Sequence, residues 1–274
     1  MSQDVLKYLR KDNFPHIWCP GCGHGIILRA FLSAVDALGL DPDKVVVVSG
    51  IGCSSRAAGY IDFNTLHTTH GRAIPFATGI KLARPELTVV VLTGDGDAAA
   101  IGGNHLIHAA RRNIDLTVIL FNNSIYGMTS GQYSPETPTG AYGTTAPYGN
   151  VERPFDLCNL VTAAGASYVA RGTAYHARQL PGLIEKGIRN KGFSFIEAIS
   201  QCPIYFGRKN KLGNASDMLK WQRDSAVSPK QASTMSPAQL AGKFVIGELA
   251  ENPAPEYTEE YEKIIEKAMK KVSA

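Results

Sequence analysis

LTVVVLTGDGD at residues 87–97 and LTVILFNNSIYG at residues 116–127 decide the fold: each is an apolar, β-branched run that stops in small polar residues. Runs of this kind, bounded by turn residues, predict strands buried on both faces. KVVVVS (44–49) repeats the pattern ahead of GIGCS (50–54). Weaker versions lie at 167–170 and in FSFIEAI (193–199), which runs into Gln201-Cys202-Pro203. Helical periodicity falls between them, at 25–37, 98–112, 155–164 and 173–189. Strands alternating with helices predict an α/β fold, a doubly wound and mostly parallel sheet. Ligands of such sheets bind beyond the carboxyl ends of the strands. The four polar loops that follow the strand runs are therefore expected along one rim.

The 274 residues allow one large domain with a tail, expected as a domain over 1–210 and a C-terminal tail or docking arm over 211–274. The tail is polar and Pro-interrupted until a charged helix candidate at 256–272. A net charge of +4 with scattered Lys and Arg gives no basic stripe, so a nucleic-acid partner is not expected. No apolar run approaches the roughly 18 residues of a membrane span. The first residues, MSQDVLKYLRKDNF, lack an apolar core like that of a signal peptide, and a cytoplasmic protein is expected. The stretch 127–154 is rich in Gly, Pro, Thr, Ser and Tyr and reads as a long functional or disordered loop.

Gly94-Asp95-Gly96-Asp97 and Asn122-Asn123 form the first chemical set. Glycines after a strand let backbone N–H groups approach a phosphate, and a helix opening at Ala98 adds free N–H groups. Mg²⁺ takes oxygen ligands in near-octahedral array, from carboxylates and substrate phosphates. Asp95 supplies a carboxylate, Asn123 an amide oxygen and Ile125 a main-chain carbonyl. Gly-Asp-Gly, then 25 residues, then Asn-Asn resembles the motif of thiamine-diphosphate enzymes. A structural turn is the alternative reading.

The cysteines form the second set. Five are present, an odd number with no signal segment, which argues for metal or redox chemistry over disulfides. Cys19-Pro20-Gly21-Cys22 places two sulfurs within reach of one metal or cluster. Cys53 and Cys202 lie on rim loops. Four thiolates from three places suit a [4Fe–4S] cube and suit a Cys₄ zinc site equally. Cys158 falls on an apolar helical face and reads as a core residue.

CPGCGH (19–24), SGIGCSSR (49–56), HTTHGRAIPFATGIKLARP (67–85), GDGD, NNSIYGMTSGQYSP (122–135) and QCP (201–203) together resemble the β subunit of 2-oxoacid:ferredoxin oxidoreductases. The likeness runs in order over roughly residues 18–206. It implies the thiamine-diphosphate-binding fold, with a [4Fe–4S] cluster on Cys19, Cys22, Cys53 and Cys202. It implies Mg²⁺ on Asp95, Asn123 and the Ile125 carbonyl. It implies thiamine-diphosphate contacts from Ile51, Gly52, Cys53, Ser54, His70, Gly96, Asp97, Gly127 and Met128.

The resemblance also implies a reaction. A 2-oxoacid is decarboxylated, two electrons leave singly through the cluster to ferredoxin, and coenzyme A takes the acyl group. IYGMTSGQYSPETP and GCSSR look most like members acting on 2-oxoglutarate, with succinyl-CoA as product. Branched-chain 2-oxoacids and pyruvate are the alternatives, and the reaction can run in reverse as a carboxylation. Arg56, three residues after Cys53, is a candidate grip for the substrate carboxylate. Thiamine enzymes need a glutamate to generate the ylid, and that catalytic group is expected on an α subunit. In some members γ and ferredoxin-like δ subunits are also present. His24 reads as structural, and His67 as solvated. Two rival readings are a non-redox thiamine-dependent lyase and a zinc-stabilised scaffold subunit.

Overall fold

The computed structural model describes residues 5–272, so the extreme ends of the two expected ranges lie outside the described residues. The strands are β1 (Val45–Ser49), β2 (Asn64–His67), β3 (Thr88–Gly94), β4 (Thr117–Asn122), β5 (Tyr168–Thr173), β6 (Ser194–Ile199), β7 (Ala226–Val227), β8 (Phe244–Val245) and β9 (Gly247–Glu251). The helices are α1 (His24–Leu38), α2 (Ala73–Ala83), α3 (Gly103–Arg112), α4 (Leu157–Ala164), α5 (Leu180–Arg189) and α6 (Ala215–Ser225). Two short ones follow, α7 (Pro229–Ala232) and α8 (Pro237–Leu240), then α9 (Tyr257–Val272).

Seven strands form one sheet in the order β2-β1-β3-β4-β6-β5-β9. All neighbours are parallel except β5 and β9. Alternate residues of each strand enter opposite cores. Val45, Val47, Val90, Leu92, Ile119 and Phe121 meet the residues of α1 and α5. Val46, Val48, Val89, Val91, Val118 and Leu120 meet those of α2, α3 and α4. Burial on both faces is why these strands read as unbroken apolar runs. The chain leaves β1 towards β2 and returns to add β3 on the other side. The strand order therefore reverses between β1 and β3, and a crevice opens above their carboxyl ends.

Several boundaries differ from expectation. The helix expected from residue 98 opens as a π turn at Asp97–Ile101 before α3 begins. The helix expected from 173 begins at Leu180, because Thr173 ends β5 and Pro181 sits in the first turn, where its missing N–H costs nothing. The loop 127–154 has almost no regular structure, yet it is internally bonded. Tyr126 and Gly131 exchange backbone contacts with their neighbours, and the Asn150 amide donates to the Thr137 carbonyl at 2.8 Å.

The stretch after residue 210, expected as a tail or docking arm, is divided. Met218 and Gln222 of α6 are buried, with the Gln222 amide donating to Gln201 at 3.1 Å. β9 closes the sheet edge. The Asn113 amide donates to the carbonyls of Ala254 and Pro255, and Glu256 accepts from the Asp115 N–H. Tyr257 packs against the core, and from Glu259 to residue 271 every position of α9 is exposed. Among the described residues, no helix is long and apolar enough to cross a membrane.

Candidate active site

Asp97 ties three loops together at the β1/β3 crevice. It is 3% exposed. Its Oδ1 accepts from the backbone N–H groups of Ile51 at 3.2 Å and Gly71 at 2.7 Å, and lies 2.6 Å from His70 Nδ1. Its Oδ2 accepts from the Thr93 hydroxyl at 2.8 Å. Because a carboxylate accepts, the His70 proton is assigned to Nδ1. Gly50 is needed for this approach, since a Cβ there would collide with the Asp97 carboxylate. Asp97 thus holds the loops after β1, β2 and β3 in fixed relation.

A cavity of about 170 Å³ lies above this hub. Ile51, Gly52, Cys53, Ser54, His70, Asp95, Gly96, Asp97, Asn123, Ile125, Gly127 and Met128 all line it, so every expected cofactor and Mg²⁺ contact meets at one place. Asp95 is buried and accepts from the Ser134 hydroxyl. Burial pushes its carboxyl up to about 7. The Asn123 side-chain oxygen accepts from the Ile125 N–H at 3.3 Å, which turns the chain after β4. The Tyr126 hydroxyl donates to the Gly96 carbonyl at 2.9 Å, and a Cβ on Gly96 would collide with the Tyr126 ring.

The four expected cluster cysteines, Cys19, Cys22, Cys53 and Cys202, line a second cavity of about 190 Å³. Cys19–Cys22 is a tight turn. The Cys22 N–H donates to the Cys19 carbonyl at 3.0 Å, Pro20 takes the second position, and Gly21 takes the third with φ +80°. That is a type II turn, which needs glycine at its third position. The Trp18 indole N–H donates to the Cys53 carbonyl at 2.6 Å and fixes that loop from below. Burial pushes the Cys22 thiol up to about 12, the Cys53 thiol up to about 11, and the Cys202 thiol upward. All five cysteines are free, and Cys158 lies buried in the core away from the other four.

The two cavities share Cys53, Asn123, Gly127 and Met128 as a common wall. A Cβ on Gly127 would sit 3.4 Å from the Cys53 sulfur and 3.7 Å from the Cys202 sulfur. Gly127 therefore lies against both sulfurs at the junction of the two cavities.

Arg56 lies exposed on a 3₁₀ turn and lines neither cavity. His67 is exposed. His24 is buried edge-on to Trp18 and Phe121, and burial pushes its pKa down to about 4, so it stays neutral. The sequence reading did not single out Ser134, Glu136 or Glu197, and it gave Asn122 and Tyr126 no role beyond their place in a motif. The Asn122 amide donates to both Glu136 and Glu197 at 2.7 Å, and Arg171 Nε donates to Glu197 at 2.6 Å. Burial and the neighbouring Glu197 push Glu136 well above the carboxylate range, which keeps it protonated at neutral pH. One signal was available: Glu197 is a charged residue inside the apolar run FSFIEAI.

The family model described as "Thiamine pyrophosphate enzyme, C-terminal TPP binding domain" matches residues 44–198. The chain is 58% identical over 267 residues to 2-oxoglutarate synthase subunit KorB of Methanothermobacter marburgensis, covering 97% of this chain and 94% of that one. It is 56% identical over 263 residues to subunit KorB of Methanocaldococcus jannaschii, covering 96% and 97%. A solved structure of 2-oxoglutarate:ferredoxin oxidoreductase from Magnetococcus marinus, with 2-oxoglutarate, coenzyme A and succinyl-CoA bound, superposes with a TM-score of 0.86 at 37% identity, covering 96% of this chain and 90% of that one.

Proposed function

The chain belongs to the thiamine pyrophosphate enzymes as a KorB subunit of 2-oxoglutarate:ferredoxin oxidoreductase, and from that premise we propose how its two cavities divide the work. The first binds thiamine diphosphate through the Ile51–Ser54 loop, His70, Gly96, Asp97, Gly127 and Met128. Asp95, Asn123 and the Ile125 carbonyl hold Mg²⁺ there. The second holds a [4Fe–4S] cluster on Cys19, Cys22, Cys53 and Cys202.

The donor sets support this division. Carboxylate, amide and carbonyl oxygens in one cavity suit a hard cation such as Mg²⁺. A buried Asp95 is costly as an anion, and a divalent cation offsets that cost. Buried thiols are likewise costly as thiolates unless metal binds them. Four thiols round a cavity of about 190 Å³ surround a volume and not a point. Among the described residues, no group of three or more His, Cys, Asp or Glu side chains is arranged to hold one metal ion. The KorB relatives favour a cluster over a single zinc on these cysteines.

When bound, thiamine diphosphate supplies the electron sink for decarboxylation of a 2-oxoacid. The residues of this chain do the rest of the positioning. Asp97 orients His70 so that its Nε2 edge is left for the cavity. Ser134 and the loop 127–154 cover Asp95 and keep water from it. Cys53, Asn123, Gly127 and Met128 line both cavities and form the wall between them. That shared wall is the observation that carries the proposal, since electrons leaving one site have a short path into the other.

The substrate is 2-oxoglutarate, taken to succinyl-CoA with coenzyme A and reduction of ferredoxin. Support comes from the names of the KorB relatives and the ligands of the Magnetococcus marinus enzyme. Branched-chain 2-oxoacids and pyruvate rank below it. Family membership also favours the oxidoreductase over the non-redox lyase and the scaffold. An α subunit brings the ylid-forming glutamate, with γ and δ subunits where the assembly has them. Four free thiols at one site fit a reducing, cytoplasmic setting.

The test is anaerobic co-purification with the α subunit, followed by an assay of ferredoxin reduction. Reduction that requires coenzyme A and runs fastest on 2-oxoglutarate supports the proposal. Release of CO₂ from the 2-oxoacid with no reduction of ferredoxin overturns it.

A further inference from the structure

Ser134-Pro135-Glu136-Thr137 is a buried turn whose side chains reach both halves of the proposed cation site. The Thr137 N–H donates to the Ser134 carbonyl at 3.0 Å and closes the turn. Serine in first place and proline in second suit such a turn. The Ser134 N–H donates to the Thr137 hydroxyl at 2.8 Å, and the Glu136 N–H donates to the Ser134 hydroxyl at 3.3 Å. Each hydroxyl therefore accepts inside the turn and has its proton to give outside it. Thr137 gives its proton to the Ser124 carbonyl at 2.6 Å, just after β4. Ser134 gives its proton to Asp95 Oδ2, just after β3.

Glu136 completes the frame. Its Oε2 accepts at 2.7 Å from the amide of Asn122, the residue before Asn123. The long loop anchors the turn from behind, where the Phe155 N–H donates to the Pro135 carbonyl at 2.9 Å. Ser134 is 1% exposed and Thr137 0%, so water has no access to replace either bond.

A carboxylate at a metal site has two oxygens and turns about one bond, so something must set which oxygen faces the metal. Groups behind a metal ligand do this, and losing one costs roughly 10–100-fold in metal affinity. We propose that Ser134 is a positioning residue for the cation: its hydroxyl holds one oxygen of Asp95 and commits the other to the site shared with Asn123 and Ile125. The turn aims that hydroxyl, and Thr137 and Glu136 set it in register with the loop after β4. This inference rests on the assignment of Mg²⁺ to Asp95, and its test separates the two.

The test uses the complex with its α subunit, prepared without oxygen and freed of Mg²⁺ by dialysis. Mn²⁺, which favours the same oxygen ligands, is titrated in with excess thiamine diphosphate, and the free ion is counted by electron paramagnetic resonance. Asp95→Asn should lose the tight site and so marks it. Ser134→Ala should keep that site but bind Mn²⁺ roughly 10–100-fold more weakly. Ser134→Thr retains the hydroxyl and should bind as the native complex does. Native affinity in Ser134→Ala would overturn the proposal and leave the Asp95 site standing. Equal weakening in Ser134→Ala and Ser134→Thr would also overturn it, because the hydroxyl would then not be the group that matters. Native affinity in Asp95→Asn would remove the cation assignment, and this inference with it.

Discussion

His70 Nδ1 lies 2.6 Å from Asp97 Oδ1, and the same oxygen receives the Gly71 N–H at 2.7 Å. Asp97 also holds the Ile51 N–H, so one buried carboxylate sets the spacing of two loops across the crevice. Asp97→Ala leaves these donors without an acceptor. The expected loss of unfolding stability is about 2–5 kcal/mol, read from urea melts. Thiamine-diphosphate affinity, read by titration calorimetry, should fall by more than tenfold, roughly 1.4 kcal/mol or more. An Asp97→Ala chain that binds the cofactor normally would contradict the assigned hub.

Gly96 is glycine because the Tyr126 ring occupies the space a Cβ would take. Its φ is ordinary, so close approach and not backbone freedom is the constraint. Gly96→Ala should destabilise the chain by about 1–3 kcal/mol through overpacking. Gly96→Ala/Tyr126→Ala should be more stable than the sum of the two single losses, since the clash is gone. Strict additivity would mean that the two residues do not press on each other.

Asp95 gives a pH signature. Its carboxyl is raised by burial from the ordinary 3.8 to about 7. A raised carboxyl stabilises the folded chain below its unfolded pKa, and the benefit is lost as pH rises through the folded pKa. The metal-free chain should therefore lose stability between about pH 4 and pH 7, by roughly 4 kcal/mol from this group. Glu136 acts in the same direction and is itself raised in part by the Asp95 charge, so Asp95→Asn should remove the Asp95 share and lessen that of Glu136. Added Mg²⁺ and thiamine diphosphate should raise Tm more at pH 8 than at pH 5 in the native chain, and equally at both in Asp95→Asn. Equal gains in the native chain would remove Asp95 from the cation site.

Much of this was legible before the structure, and for physical reasons. β1, β3 and β4 are buried on both faces, so burial writes itself into Val45–Ser49, Thr88–Gly94 and Thr117–Asn122 as continuous apolar runs. β2 and β9 are edge strands, NTLH and GELAE, largely open to solvent, and carry no such record. The same limit hid the role of residues 215–251: their contacts reach back to Gln201, Tyr175 and β5, partners distant in sequence. At the site, Asp95, Asn123, Cys53 and Cys202 were visible because each follows a strand end, and Cys19 and Cys22 because two residues separate them. Ser134 and Glu136 were not. They come from the irregular loop 127–154 and reach Asp95 and Asn122 through tertiary folding alone.

The cysteine assignment carries the redox chemistry, and metal analysis tests it most directly. The complex is purified without oxygen, native and with Cys202→Ala or Cys158→Ala, and iron, sulfide and zinc are measured per copy of this chain. After dithionite the electron paramagnetic resonance spectrum is recorded. The expected native content is about four irons and about four sulfides in excess of those bound by other subunits, with a reduced-cluster signal. That content and signal should be lost in Cys202→Ala and kept in Cys158→Ala. One zinc with no iron on this chain, or an unchanged cluster in Cys202→Ala, would contradict the account.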